Sequence, residues 1–295
     1  MTADLEPRSP TQSRQSSSPG LDLWQVAAVV RSAIAAPSPR DSRPWRLRVD
    51  GRKVTVALDT ERLAIHQPVS DRAAHVSAGA LVLDVAAWAA SVGMVAEVTW
   101  LPDGAHVRSA LAEIHLAPTL SPDRVLAELG SQVTARRVMR ATPRTRRVGP
   151  PVRARLGEAA ASHDATLSTV DQSRRQRLLD LVRHDDAERG LVAPDAAHRR
   201  GGPELMVLST AGDRPVDWMR AGAALQETWL TATGYGAAMT IVDGPIEDDT
   251  IRARLRSDLG HSTWPQVILR AGYGPSEPSV PAEQPWRSFL DRSPP

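Results

Sequence analysis

The sequence contains no cysteine, which excludes disulfides, thiolate nucleophiles and Cys-ligated zinc. Lysine is nearly absent as well: of the 36 Lys and Arg residues, Lys53 alone is a lysine. The formal net charge is only +2, so this arginine skew reads mainly as a solvated basic surface and does not demand a nucleic-acid partner. Aromatic residues make up 4%, so the core must be packed with Leu, Val and Ala. No uninterrupted apolar run approaches ~18 residues, so no membrane-spanning helix is expected. The first twenty residues, rich in Ser, Pro, Arg and Gln, lack the apolar centre of a signal peptide and are expected to form a disordered tail on a cytoplasmic protein. HExxH, GxSxG and P-loop signatures are missing, and the eight histidines are scattered, so no metal is expected.

What is present is enough apolar material, 41% of 295 residues, for one large domain or two fused halves. Leu23, Val26, Ala27, Val30 and Ile34 recur at helical spacing and predict a helix over 22–35, stopped by Pro37 and Pro39. Strands are predicted over 45–49 and 53–58, across an Asp50-Gly51 turn. A long Ala-rich helix follows over 70–91, then strands over 95–101 and 112–116. Further helices are expected over 121–141, 150–161, 173–184, 216–233 and 247–258, with strands over 166–170, 205–209, 238–242 and 266–271. Residues 188–203 read as a loop, and 275–295 as a proline-rich extended tail. Gly234-Tyr235-Gly236 resembles the start of GxGxxG, but it follows a helix and has Met239 in place of the third glycine. A helix C-cap accounts for it better.

Three landmarks repeat at one offset. Gly79, Gly93 and Pro102 recur as Gly222, Gly236 and Pro245, each 143 residues later and in the same helix–Gly–strand order. Trp88 and Trp229 sit at nearly matching places in the two helices. Duplication accounts for this, as do two unrelated Ala-rich helices that both end on glycine.

Two segments stand out chemically. In the first, Ala36 to Arg46, Pro37, Pro39 and Pro44 fix φ at three places, so the loop is stiff and can present Ser38 and Asp41 to a planar ligand at low entropic cost. It reads equally as an ordinary helix-to-strand connection that buries Trp45. The second, Arg136 to Arg147, carries six arginines in twelve residues. On an extended backbone Arg140, Thr142 and Arg144 point to one side, and two guanidinium forks with a hydroxyl make a phosphate cradle. A solvated basic turn is the alternative; a base-stacking surface is disfavoured because no aromatics are interleaved.

At these two segments the chain resembles the nitroreductase family, and more narrowly its Acg-like branch, whose members are about this long and contain two nitroreductase-like halves. Ala36-Pro37-Ser38 and Pro44-Trp45-Arg46 resemble the APSxHNxQPWR motif, and Arg140, Thr142 and Arg144 the RxTxR motif. Gly222-Ala223-Ala224-Leu225, Pro245-Ile246-Glu247 and Pro265 to Tyr273 follow the same pattern. The resemblance implies an α+β, nitroreductase-like pseudo-dimer of two antiparallel-sheet/helix halves, residues 21–120 and 121–295, the second ending in an extended arm. It implies one FMN between them, with NAD(P)H as co-substrate and a small nitroaromatic or quinone-like molecule as electron acceptor. Arg140, Thr142 and Arg144 would take the phosphate. Pro37, Ser38, Pro39 and Asp41 would lie beside the ring, and Ile246 and Glu247 near its reactive edge. The pseudo-dimer is expected to be a monomer, although a homodimer is open. No side chain need act as acid or base. The branch also includes flavin-binding proteins without turnover, and a flavin-free relative is a further alternative. Here Asp41 stands where the motif has asparagine and Arg43 where it has glutamine, so an acid beside the ring would need Arg43 or Arg46 to neutralise it. Arg43 therefore joins the candidate site.

Overall fold

The computed structural model describes residues 20–65, 70–101, 110–139, 146–171, 173–178, 203–242, 246–258, 260, 262–278 and 285–291. The expected disordered tail, the loop at 188–202 and the helix beyond residue 178 lie outside these residues.

The architecture is α+β. Helix α1 (Leu23–Ala35) is capped by Asp22, whose carboxylate accepts from the Gln25 N–H at 2.8 Å. Strands β1 (Trp45–Asp50) and β2 (Lys53–Leu58) form a hairpin, and the short helix α2 (Thr60–Ile65) follows. Helix α3 (Asp71–Ser91) leads into β3 (Met94–Trp100) and β4 (Ala110–Pro118). These strands form one antiparallel sheet in the order β1-β2-β4-β3.

The remaining elements are α4 (Arg124–Gln132), β5 (Arg137–Met139), β6 (Arg146–Arg147), α5 (Pro150–Ala161), β7 (Ala165–Thr169), the helical residues 173–178 as α6, β8 (Glu204–Thr210), α7 (Pro215–Gly234), β9 (Ala238–Ile241), α8 (Asp249–Asp258), β10 (Trp264–Tyr273) and β11 (Ser276–Pro278). The second sheet runs β7-β8-β10-β9-β5-β11, with β6 on β10. Its first four strands follow the pattern of the first sheet: an antiparallel pair, a long helix, then two strands, the later one central. Beyond them, β5 adds to β9 in parallel.

Helix α3 is buried on every side, with 18 of its 21 residues inside. By length and composition alone it would suffice to cross a membrane, but here α1, α4 and α7 surround it. The α3–α7 contact is backbone on backbone. A Cβ on Gly79 would fall 1.9 Å from the Met219 carbonyl oxygen, and one on Gly222 would fall 1.8 Å from that of Val76. The contact is reciprocal: Gly79 and Gly222 are 143 residues apart, as are Val76 and Met219. Only hydrogen fits at either glycine.

Two expectations change. The helix predicted over 121–141 is shorter, Arg124–Gln132, because Asp123 caps it and Arg137–Met139 leaves to join β9 and β11. The tail is not wholly extended. It forms β11 and a 3-10 turn, Trp286–Phe289, that buries Phe289 against the first half, with the Arg62 guanidinium 4.0 Å above its ring. Leu290 bridges Leu47 of β1, and the Asp291 N–H donates to the Leu47 carbonyl at 2.8 Å.

Replacing Gly79 or Gly222 by Ala forces the two helices apart and is expected to cost about 3 kcal/mol or more. Ala at Gly157, where a Cβ meets nothing within 4 Å, should be tolerated. Urea denaturation midpoints of the three variants check the contrast.

Candidate functional site

Pro37 ends α1, because the residue before a proline is pushed out of helical geometry; Ala36 sits at ψ 145°. The chain then makes a 3-10 turn, Pro39–Asp41, and takes positive φ at two residues that are not glycine or asparagine: Asp41 at 59°, which ends the turn, and Arg43 at 44°, two residues on. Left-handed backbone is costly for Arg in particular, roughly 1–2 kcal/mol, so something must hold it. The Ser38 hydroxyl accepts from the Arg43 N–H at 3.1 Å, and Arg43 Nη2 donates to both Asp41 oxygens at 2.8 and 2.9 Å. Of the two arginines expected to neutralise Asp41, Arg43 does so; Arg46 pairs instead with Asp59 and Glu61.

The turn faces two ways. Arg43 is fully buried, while the Asp41 side chain is 61% exposed. Burial lowers the Arg43 pKa, and the Asp41 charge opposes that shift. Arg43 Nε and Nη1 and the Ser42 hydroxyl are buried without hydrogen-bond partners among the described residues. Trp45 is buried too, so the segment serves both as a core connection and as a presented turn.

Arg136 opens the arginine segment. Its guanidinium is buried over the Trp229 ring, 5.0 Å from the centroid, and Nη1 donates to Gln226 Oε1 at 3.1 Å. Gln226 Nε2 in turn donates to Asp84 Oδ1 at 2.7 Å. Burial lowers the Arg136 pKa, and the charges of Asp84 and Asp41 both oppose this. Asp41 of the first half thus lies within electrostatic reach of Arg136 of the second. Burial pushes the Asp84 carboxyl up to about 7, only partly offset by Arg136 and Gln226.

A second polar cluster sits at the start of α3, twelve residues or about 18 Å along the helix from Asp84. Ser70 caps the helix by accepting from the Ala73 N–H and donates its own hydroxyl to Glu247 Oε2. The buried Arg72 guanidinium bonds to Glu247 Oε1 at 2.6 Å, to the Ile246 carbonyl at 2.7 Å and to the Gln266 carbonyl at 2.6 Å. Beside it Arg252 grips Asp213, which also accepts from Trp218 and Gln266. Burial alone would raise the Asp213 pKa, but these bonds outweigh it and pull it down to about 2.

The expected site residues are therefore distributed unevenly. Ser38, Asp41 and Arg43 form one bonded turn, with Pro37 and Pro39 as its frame. Ile246 and Glu247 belong to the α3 cluster. Arg140, Thr142 and Arg144 lie outside the described residues, as does Pro245. Arg72, Asp84, Arg136 and Gln226 were not singled out from the sequence. Asp84 and Gln226 had a visible signal, a polar residue inside an apolar helical run, which when buried demands a partner. Arg72, in the first turn of a helix, had none.

No family model matches the chain. Two Mycobacterium tuberculosis proteins do. The protein named "Putative NAD(P)H nitroreductase Rv3131" is 25% identical across 86% of this chain and 86% of its own length. The one named "Putative NAD(P)H nitroreductase acg" is 24% identical across 89% of this chain and 93% of its own length. The chain is similar to these two proteins over most of its length. Among solved structures, a nitroreductase-like family protein from Bacillus cereus covers 59% of the chain and 98% of its own, at 18% identity and a TM-score of 0.43. The NADPH:FMN oxidoreductase of Vibrio harveyi complexed with NAD+ covers 57% and 77%, at 14% identity and a TM-score of 0.44.

Asp84 gives this chain a pH signature. Its folded pKa, about 7, exceeds the ordinary 3.8, so between these values the folded state binds the proton more tightly than the unfolded one. The stability this supplies is fully present near pH 4, declines as pH rises and is gone above about 7, a span on the order of 2–4 kcal/mol. Denaturation of wild type and Asp84→Asn at pH 5, 6, 7 and 8 should show the stability difference, wild type minus variant, falling from pH 5 to 7 and levelling off by pH 8. A difference independent of pH would show that Asp84 does not titrate there.

Proposed function

We propose that the protein is an FMN-dependent oxidoreductase of the nitroreductase type, cytoplasmic, using NAD(P)H to reduce a nitroaromatic or quinone-like acceptor. The observation that carries this reading is the rigid turn of residues 38–43, in which the Arg43 N–H donates to the Ser38 hydroxyl and the buried Arg43 guanidinium holds the exposed Asp41 carboxylate. The Asp41 charge also acts on Arg136, the first residue of the arginine segment. The names of the mycobacterial relatives support the same activity.

The residues fit such a group. The turn is held rigid by Ser38 and by the Asp41–Arg43 pair, and Arg43 and Arg136 place positive charge behind it. In this reading Arg140, Thr142 and Arg144 hold the phosphate, Pro37, Ser38, Pro39 and Asp41 flank the ring, and Ile246–Glu247 closes its far edge. Arg43 cancels the charge that Asp41 would otherwise set against an electron-rich ring. When bound, FMN supplies the two-electron chemistry, accepting hydride from the nicotinamide and passing electrons to the acceptor. The protein's part is to orient both partners and to exclude water.

We further propose that the chain is a duplicated unit with halves at 21–120 and 121–295. The repeated strand order and the reciprocal glycine contact support it. The halves differ where a second cofactor would sit. Nine residues, 36–44, join α1 to β1, but only three, 162–164, join α5 to β7. The second junction therefore lacks a ring-side turn, and one FMN per chain is expected.

The purified protein should be yellow, release FMN at about one per chain, and bleach when NADPH is added anaerobically. Yellow colour without bleaching would mean flavin sequestration, and a colourless protein that takes up no added FMN would overturn both readings. Changing Arg140 and Arg144 together to Ala should weaken FMN binding by several kcal/mol, since each charge-assisted bond contributes ~1.5–3 kcal/mol. Unchanged affinity, read by fluorescence titration, would place the phosphate elsewhere.

A further inference from the structure

We propose that Arg72 is a positioning residue for the cofactor edge, a clamp through which the first half holds Ile246–Glu247 of the second half in place. The proposal rests on the reading that this segment borders the flavin.

The geometry of the clamp is specific. Arg72 occupies the first turn of α3, and its side chain is 6% exposed. Its three acceptors all come from the other half: the Ile246 carbonyl, the Gln266 carbonyl and Glu247 Oε1. Two of these are backbone atoms, so the bonds fix the course of the chain at residue 246 and tie it to β10. The other oxygen of Glu247 takes the Ser70 hydroxyl, and Ser70 caps the same helix. The Glu247 carboxylate lies at the positive end of a 21-residue helix, where negative charge is favoured. With both oxygens engaged, Glu247 is an anchor and has no acid–base part in the reaction.

A planar fork is required. One guanidinium reaches three acceptors in fixed directions, whereas the lysine ammonium is a single point of charge on a flexible stem. Arg252, whose field also reaches Arg72, is itself committed to Asp213 and Asp249 and cannot take over the role.

The test uses the full chain with Arg72→Lys, Arg72→Ala and Glu247→Gln. Amide hydrogen exchange is measured without ligand at 250–252, whose N–H groups bond to Asp248 in the turn that follows the clamp, and FMN affinity and the visible spectrum of bound FMN are measured at saturation. Arg72→Ala should speed exchange at 250–252 at least 10-fold, weaken FMN at least 10-fold and shift the flavin bands. Arg72→Lys should fall between Ala and wild type. Glu247→Gln, which keeps both backbone bonds, should change less than Arg72→Lys. If Arg72→Ala does not fold, the order of Lys and Gln relative to wild type decides. A lowered melting temperature with wild-type exchange at 250–252 and a wild-type flavin spectrum would make Arg72 merely structural and overturn the proposal. If wild type takes up no FMN, the flavin reading fails. The exchange results then decide the clamp alone: wild-type protection in Arg72→Lys and Arg72→Ala overturns it, and graded loss sustains it.

Discussion

The contact on which the rest of the structure depends is the backbone approach of α3 and α7 at Gly79 and Gly222. Every other feature is placed by these two helices. α3 carries the front sheet against its flank and begins with the Arg72 cluster; α7 does the same for the back sheet and supplies Gln226 to Asp84. Because each helix meets the other's carbonyl with only a hydrogen between, there is no room for sliding. The relative register of the halves is set by sterics, and the polar groups at the junction inherit that register.

Charge at the junction is arranged to be costly and paired. Arg43, Arg72, Arg136 and Arg252 are all buried, and each faces an acid or a chain of dipoles that ends in one. Such pairs give little net stability over apolar packing, but breaking one leaves an uncompensated charge. Their value lies in geometry. An arginine-only chemistry suits this, since forked donors specify direction as well as charge. Asp84 and Gln226 show the same logic. The amide has an acceptor for Arg136 on one side and a donor for Asp84 on the other, so its orientation is determined by its neighbours.

Much of this was legible in local sequence, and the parts that were not share a cause. Helix α1, the β1–β2 hairpin and the ends of α3 were readable because prolines, Asp22 and Gly93 mark them. The 143-residue offset was readable because glycine at a close helix contact cannot drift. Helix α4 was overextended because nothing in Arg136–Arg140 opposes helix locally. What draws Arg137–Met139 away is a ladder with β9 and β11, roughly 100 and 140 residues further on. The Arg72 clamp was invisible for the same reason: its three acceptors lie 174–194 residues away and two are carbonyls, which carry no side-chain signature. The turn at Ser38–Arg43 was recognisable as stiff, but the inward and outward division of labour between Arg43 and Asp41 depends on which side the core lies.

The closing 3-10 turn has one more implication. Phe289 and Leu290 belong to the second half by order in the chain, yet they rest on α1, β1 and Arg62 of the first. The halves are thus laced together by a returning strap as well as by their central seam. A cut in the connector between β4 and α4 would leave both the strap and the α3–α7 contact spanning the two fragments, so the connector is not the sole tie between them.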